Sequence, residues 1–208
     1  MLRLTDLKLP LDHGEGALKS AILKRLGIKS ADLVRFQVFR RGWDARKRSA
    51  IQLTYTLDIE VRDEARVLAR LGADRHVGPA PDTAYRLPVR APASWPASAQ
   101  IRRPLVIGAG PCGLFAGLIL AQAGFRPIIL ERGKVVRERT KDTWALWRRS
   151  VLTPQSNVQF GEGGAGTFSD GKLYSGIKDD RNRDRKVLEE FVKAGAPEEI
   201  LSNAKQHT

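Results

Sequence analysis

Three glycines, Gly108, Gly110 and Gly113, stand between a short apolar run, Leu105 to Ile107, and a longer one, Leu114 to Ala123. That order predicts a buried strand, a glycine turn and a helix, and each glycine has a mechanical task. Gly108 allows the tight turn, Gly110 lets backbone approach a pyrophosphate, and Gly113 lets helix and strand pack closely. Gly117 lies one helical turn further on the same face and extends that contact. Pro111 lacks an N–H and suits the first position of the helix. Cys112 sits inside the turn, where a helix start can lower a thiol pKa; the favoured reading is a small residue filling a tight site. A second strand follows from Phe125 to Leu130, with Glu131 at its end, 23 residues after Gly108. A carboxylate there can accept hydrogen bonds from both hydroxyls of an adenosine ribose. It would repel a 2′-phosphate, although Arg132 stands next to it, so the expected ribose is unphosphorylated.

A second glycine cluster narrows the ligand. Gly161, Gly163, Gly164, Gly166 and Gly171 fall within eleven residues, and each adds about 0.5–1 kcal/mol of ordering entropy relative to alanine. Phe160, Phe168, Leu173 and Tyr174 are embedded among them, which a plain flexible loop rarely shows. The expectation is a loop whose backbone, including Ala165 and Thr167, lies against a flat polar ligand. Nicotinamide enzymes continue from the second strand into further regular βαβ repeats. This chain has a charged helix, about Val135 to Val151 with Trp144 and Trp147 three apart, and then the loop. The difference favours FAD.

Proline marks a break upstream. Five of the eleven prolines fall between Gly78 and Gln100, interleaved with Ala and Ser, a composition that neither pairs well in a sheet nor propagates a helix. Residues 79–100 therefore read as a linker between a domain over 1–78 and one over 101–208. In the first domain, Leu2 to Leu9 alternates as a strand, and Glu15 to Leu26 has helical spacing stopped by Gly27. Val34 to Val38 and Ile51 to Ile59 alternate as two paired strands, and Asp63 to Leu71 reads as a short helix. A closing strand is expected near Ala84 to Val89. The order describes a small α+β sandwich of ferredoxin-like type. The turn between the long strands carries Arg40, Arg41, Arg46, Lys47 and Arg48, with Trp43 and Asp44 at its tip. Such a cluster can grip phosphate or stack on a base, but a solvated hairpin end is the favoured reading.

The longest apolar runs fall well short of a membrane span, and the first residues alternate instead of forming a leader-like block, so a cytoplasmic protein with no membrane partner is expected. With one cysteine and three dispersed histidines, the sequence offers neither an internal disulfide nor a metal-ligand spacing. The formal charge is +13, from 36 Lys and Arg against 23 Asp and Glu. A polyanion partner would explain it, but cations spread along both halves favour a plain basic composition.

The glycine turn at 108–116, the Glu131-Arg132-Gly133 end of the second strand and above all the run from Ser156 to Leu173 resemble the bacterial FAD-dependent dehydrogenases mostly labelled uncharacterised NAD(P)/FAD-dependent oxidoreductases. The resemblance covers about residues 30–208, including Asp44 to Lys47. It implies an α/β protein: an FAD-binding Rossmann-like domain of the two-dinucleotide-binding type behind the small α+β domain. Members of that family are longer, with a substrate domain and a returning segment that completes the FAD site, so the Rossmann-like domain here is expected to be an incomplete N-terminal portion that holds little flavin alone. The expected function is an FAD-dependent oxidoreductase acting on an unknown small molecule, with NADH or NADPH as a candidate reductant. Cofactor contacts are expected from Gly108, Gly110, Pro111, Cys112, Gly113, Glu131, Arg132, Gly161, Gly163, Gly164, Ala165, Gly166 and Thr167. No residue is assigned as catalytic acid or base. The alternatives are an RNA-binding flavoprotein using residues 40–48 and a non-catalytic nucleotide-binding fragment.

Overall fold

A computed structural model describes residues 1–95, 102–173 and 179–203. They form two compact units, one built from residues 1–85 and 172 onward, the other from 86–171.

The first unit is a four-stranded antiparallel sheet with two helices on one face. Strand β1 (Leu2–Pro10) runs into helix α1 (Ala17–Leu26), followed by β2 (Leu33–Asp44), β3 (Gln52–Val61), helix α2 (Glu64–Leu71) and β4 (Val77–Pro79), in the order β2-β3-β1-β4. The apolar alternation of β1 changes parity, from Leu2 and Leu4 to Leu7 and Leu9. The pairing with β3 shifts register between Leu4 and Leu7, and Asp6 absorbs the extra residue with φ 57°. This β-bulge returns Leu7 to the core face. Leu2, Leu4, Leu7, Tyr55, Leu57, Ile59 and Val61 then pack with Ile22 and Leu26 of α1 and Val67 of α2. Gly27 ends α1 in the left-handed region, φ 59°. Asp63 caps α2, its carboxylate accepting from Arg66 N–H at 2.9 Å.

Several sequence expectations change here. The closing strand is Val77–Pro79, paired with Leu2 to Leu4, and Ala84 to Val89 is irregular. Pro79 is tolerated because it ends a strand at the sheet edge, where no ladder N–H is needed. Strand β2 runs through Arg40 and Arg41 to Asp44, which pairs with Gln52. Trp43 and Asp44 are thus strand residues, and the turn is Ala45 to Ile51. Helix α5 (Arg183–Lys193) has no counterpart among the sequence expectations, and a 3-10 turn, Glu198–Leu201, follows it. This C-terminal stretch packs with the first unit. Arg41 N–H donates to Ser202 O at 2.6 Å, and Arg185 lies 4.9 Å from the Phe39 ring centroid.

The second unit holds β5 (Leu105–Ile107) and β6 (Ile128–Leu130), paired in parallel and joined by α3 (Pro111–Gln122), then α4 (Val136–Arg149). The anticipated second strand shortens to its last three residues, since Arg126, with φ 50°, turns the chain before it. Part of the proline-rich segment packs here. Ala91 N–H donates to Ala123 O at 2.7 Å, and Trp95 Nε1–H donates to Phe125 O at 2.9 Å with its ring edge-on to Phe125. Residues 96–100 of the expected linker, Ile101 after it, and Tyr174 beside the expected loop lie outside the described residues.

Candidate functional site

The first glycine turn is built by contact between helix and strand. A Cβ at Gly113 would lie 1.9 Å from Gly108 O and 3.6 Å from Val106 Cγ1, so only glycine lets α3 start this close to β5. Pro111 is the first residue of α3, and Gly110 precedes it in extended conformation. The amides of Cys112 and Gly113 fall in the first turn of the helix, where backbone donors have no intrahelical acceptor and the helix dipole is positive. A Cβ at Gly108 would meet nothing within 4 Å, and one at Gly110 would meet only Gly164 Cα, at 3.9 Å. Gly108 therefore faces open space, while Gly110 faces the second glycine cluster. Cys112 is exposed.

Glu131 closes the turn from the end of β6. Its Oε2 accepts from Ala109 N–H and its Oε1 from Gly133 N–H, both at 2.7 Å. These two donors, Ala109 first, hold its carboxyl below the ordinary carboxylate range against the opposing effect of burial. A carboxylate has about four lone-pair sites, so each oxygen keeps acceptor capacity. The Arg132 side chain beside it is exposed.

The second glycine cluster sits on the first. Gly163 N–H donates to Ala109 O at 2.8 Å. Gly164 is buried with φ 58°, and a Cβ on it would lie 2.9 Å from Pro111 Cδ and 3.2 Å from Gly110 Cα. The loop continues as a 3-10 turn, Gly164–Phe168, that carries Ala165, Gly166 and Thr167 on the exposed side. Glu162 leaves the loop and accepts from Val136 N–H at 2.8 Å, placing a negative charge at the start of α4.

One residue that governs this arrangement escaped sequence reasoning. Arg139 of α4 is fully buried. Its guanidinium donates to Asn157 O at 2.7 Å, Val158 O at 2.9 Å, Glu162 O at 2.5 Å and Gly164 O at 2.7 Å, with a longer bond to Thr167 Oγ1 at 3.4 Å. Phe168 stacks 4.9 Å away and also meets Trp147 edge-on. Burial lowers the Arg139 pKa from its usual value while the negative Glu131 opposes that shift. Five donors in a fixed fork suit carbonyls converging from a loop. The available signal was an arginine on the apolar side of a charged helix, one turn before Thr143, which is equally buried.

The arrangement thus brings Gly108, Gly110, Pro111, Gly113, Glu131, Gly163 and Gly164 into one cluster and leaves Cys112, Arg132, Ala165, Gly166 and Thr167 at its exposed margin. A glycine backbone, a helix start and an anionic acceptor fit the diphosphate and ribose of a dinucleotide. Among the described residues no cluster of His, Cys, Asp and Glu could hold a metal ion, and no helix is long and apolar enough to cross a membrane.

Comparison with known proteins agrees with this geometry. Residues 103–145, from the edge of β5 into α4, match the model of the family described as "FAD binding domain". The match supports FAD binding by this segment. Residues 1–60 match a "Domain of unknown function (DUF8436)". An uncharacterized protein of Clostridium beijerinckii is 38% identical over 207 residues, an alignment covering 99% of this chain and 37% of that protein. The chain therefore spans little more than a third of the length of that relative.

Proposed function

We propose that the second unit binds the adenosine and diphosphate part of FAD for an FAD-dependent oxidoreductase of the dehydrogenase kind. The observation that carries this reading is the coincidence, within the segment matched by the FAD-binding family model, of the Gly108–Gly113 turn at a helix start and the Glu131 carboxylate bonded into that turn. The α3 amides and Gly110 would receive the diphosphate, and Glu131 would accept from the ribose hydroxyls. The Gly161–Gly171 loop, held by Arg139, would shape the approach to the flavin. Bound flavin would supply the capacity to take up and release a hydride, which no side chain here possesses. The protein's part is orientation, exclusion of water and a fixed electrostatic setting.

The wider context supports a larger flavoprotein. Parallel strands normally bury both faces, yet Leu105, Ile107, Leu130 and Ile128 are exposed, Ile107 by 75%. Helix α3 is apolar on nearly every side, a pattern of helices enclosed in a domain core. We further read the first unit as ferredoxin-like, supported by its order β2-β3-β1-β4 with both helices on one face.

The test is an absorption spectrum of the protein expressed at the length of its Clostridium relative. A flavin spectrum bleached anaerobically by NADH or NADPH supports the reading. A colourless protein that binds ADP or NAD supports a non-catalytic nucleotide-binding module instead.

A further inference from the structure

The first unit carries a second feature that flavin binding does not use. Alternation along the hairpin puts Arg40, Gly42 and Asp44 of β2 beside Thr56, Thr54 and Gln52 of β3, on the face opposite Tyr55, Leu57 and Ile59 of the core. Gly42 contributes no side chain there, and a groove of about 440 Å³ opens, lined by Arg40, Trp43, Asp44, Arg46, Thr54 and Thr56. Trp43 is 53% exposed, a large indole left in solvent at the rim.

The charge around the groove is one-sided. Asp44 is its one carboxylate lining residue, and it is spent: Arg46 Nε donates to it at 2.8 Å, and Lys8 Nζ at 2.9 Å. These contacts, the Arg46 bond first, hold its carboxyl far below the ordinary range. The side chains of Arg40, exposed on the groove wall, and of Lys47 and Arg48, exposed on the adjoining turn, make no hydrogen bond or ion pair among the described residues. The nearby Asp6 lies 3.8 Å from Lys8. Positive charge is thus in excess around a groove whose lining includes the exposed Trp43 together with Thr54 and Thr56.

We propose that this groove binds single-stranded nucleic acid, with Trp43 stacking on a base and Arg40, Lys47 and Arg48 contacting successive phosphates. An acidic peptide or an anionic membrane would satisfy the cations, but an exposed indole in the lining of a cationic groove is what base stacking requires. The site lies wholly within the first unit and is independent of the flavin reading.

Fluorescence anisotropy with labelled 20-nucleotide uridine and thymidine strands tests it on the whole chain. Two variants change net charge by the same amount: Arg40→Glu with Lys47→Glu at the groove, and Lys19→Glu with Lys24→Glu on the exposed side of α1. The groove pair should lose more than tenfold in affinity and lower the slope of log K against log salt by about 1.4, from 0.7 for each of two phosphate contacts. The α1 pair should stay within about threefold of wild type. Trp43→Ala should weaken binding at least about fivefold, the low end for one stacked base, and Trp43→Phe should retain it; Trp43→Gln replaces the alanine variant if that one unfolds. Binding to both strands, or to one alone, supports the groove and says whether the 2′-hydroxyl is read. Equal losses from both charge pairs, or unchanged binding when Trp43 loses its ring, would overturn it. So would binding to phosphatidylserine vesicles with none to either strand.

Discussion

Replacing Arg139 by methionine keeps an unbranched side chain as far as the ε position and removes the guanidinium from the carbonyls of Asn157, Val158, Glu162 and Gly164. These acceptors converge on a fully buried group, so water reaches them poorly after the substitution. An unsatisfied buried acceptor costs about 1–3 kcal/mol, and bonds to a charged donor contribute about 1.5–3 kcal/mol each. The cost of burying a guanidinium offsets part of that sum, and the net loss expected on removing one side of such an arrangement is about 3–5 kcal/mol. For a unit of 86 residues this corresponds to a fall of at least about 12 °C in its melting transition. Near-ultraviolet circular dichroism, dominated in this unit by Trp95, Trp144 and Trp147, should follow the loss, and amide exchange should accelerate first over Asn157 to Phe168. Arg139→Lys keeps the charge but offers three donors from one point instead of a fork, and should fall between. A methionine variant melting within about 2 °C of wild type, with loop exchange unchanged, would refute the claim that Arg139 holds the loop.

Gly113→Ala should disrupt the second unit, because its Cβ would meet backbone at 1.9 Å, whereas Gly117→Ala meets only the end of the Ile129 side chain at 2.4 Å and should cost far less; thermal melts of the pair check the contrast. Glu131 has a folded pKa below its ordinary value of 4.5. Its contribution is therefore complete above that value and is lost as pH falls through the folded pKa, so wild type should lose more stability than Glu131→Gln in urea titrations between neutral pH and the region below 4.5. Trp95→Phe removes the hydrogen bond to Phe125 O and should lower stability of the second unit by about 1 kcal/mol, read from its urea midpoint.

The parts of the fold legible in the sequence are those where a local pattern and a tertiary need coincide. Alternation in Leu57 to Val61 and helical spacing in Leu18 to Leu26 served a single core, and Gly108 to Gly113 announced its own turn. Strand β4 was missed because Val77 is its one buried residue, and its pairing is dictated by the neighbouring β1. The apparent hairpin tip moved because strand pairing tolerates the charged Arg40 and Arg41 at a sheet edge, where propensity alone suggests a turn. Helix α5 has Val187, Leu188, Phe191 and Val192 at helical spacing, but its first turn is Arg183 to Lys186, all charged, so the apolar pattern spans less than two turns. At the site, the glycines and Glu131 were legible because backbone geometry demands those residue types. Arg139 was not, since its acceptors are main-chain carbonyls that leave no trace in residue identity.

The central claim, an adenosine and diphosphate site built on Gly108–Gly113 and Glu131, is tested most directly by calorimetric titration of this chain with ADP, FAD and NADP+. ADP and FAD should bind with similar, modest affinity, Glu131→Ala should weaken both by about tenfold or more, and the 2′-phosphate of NADP+ should be rejected by the carboxylate. NADP+ binding as tightly as ADP, with Glu131→Ala having no effect on either ligand, would contradict the account.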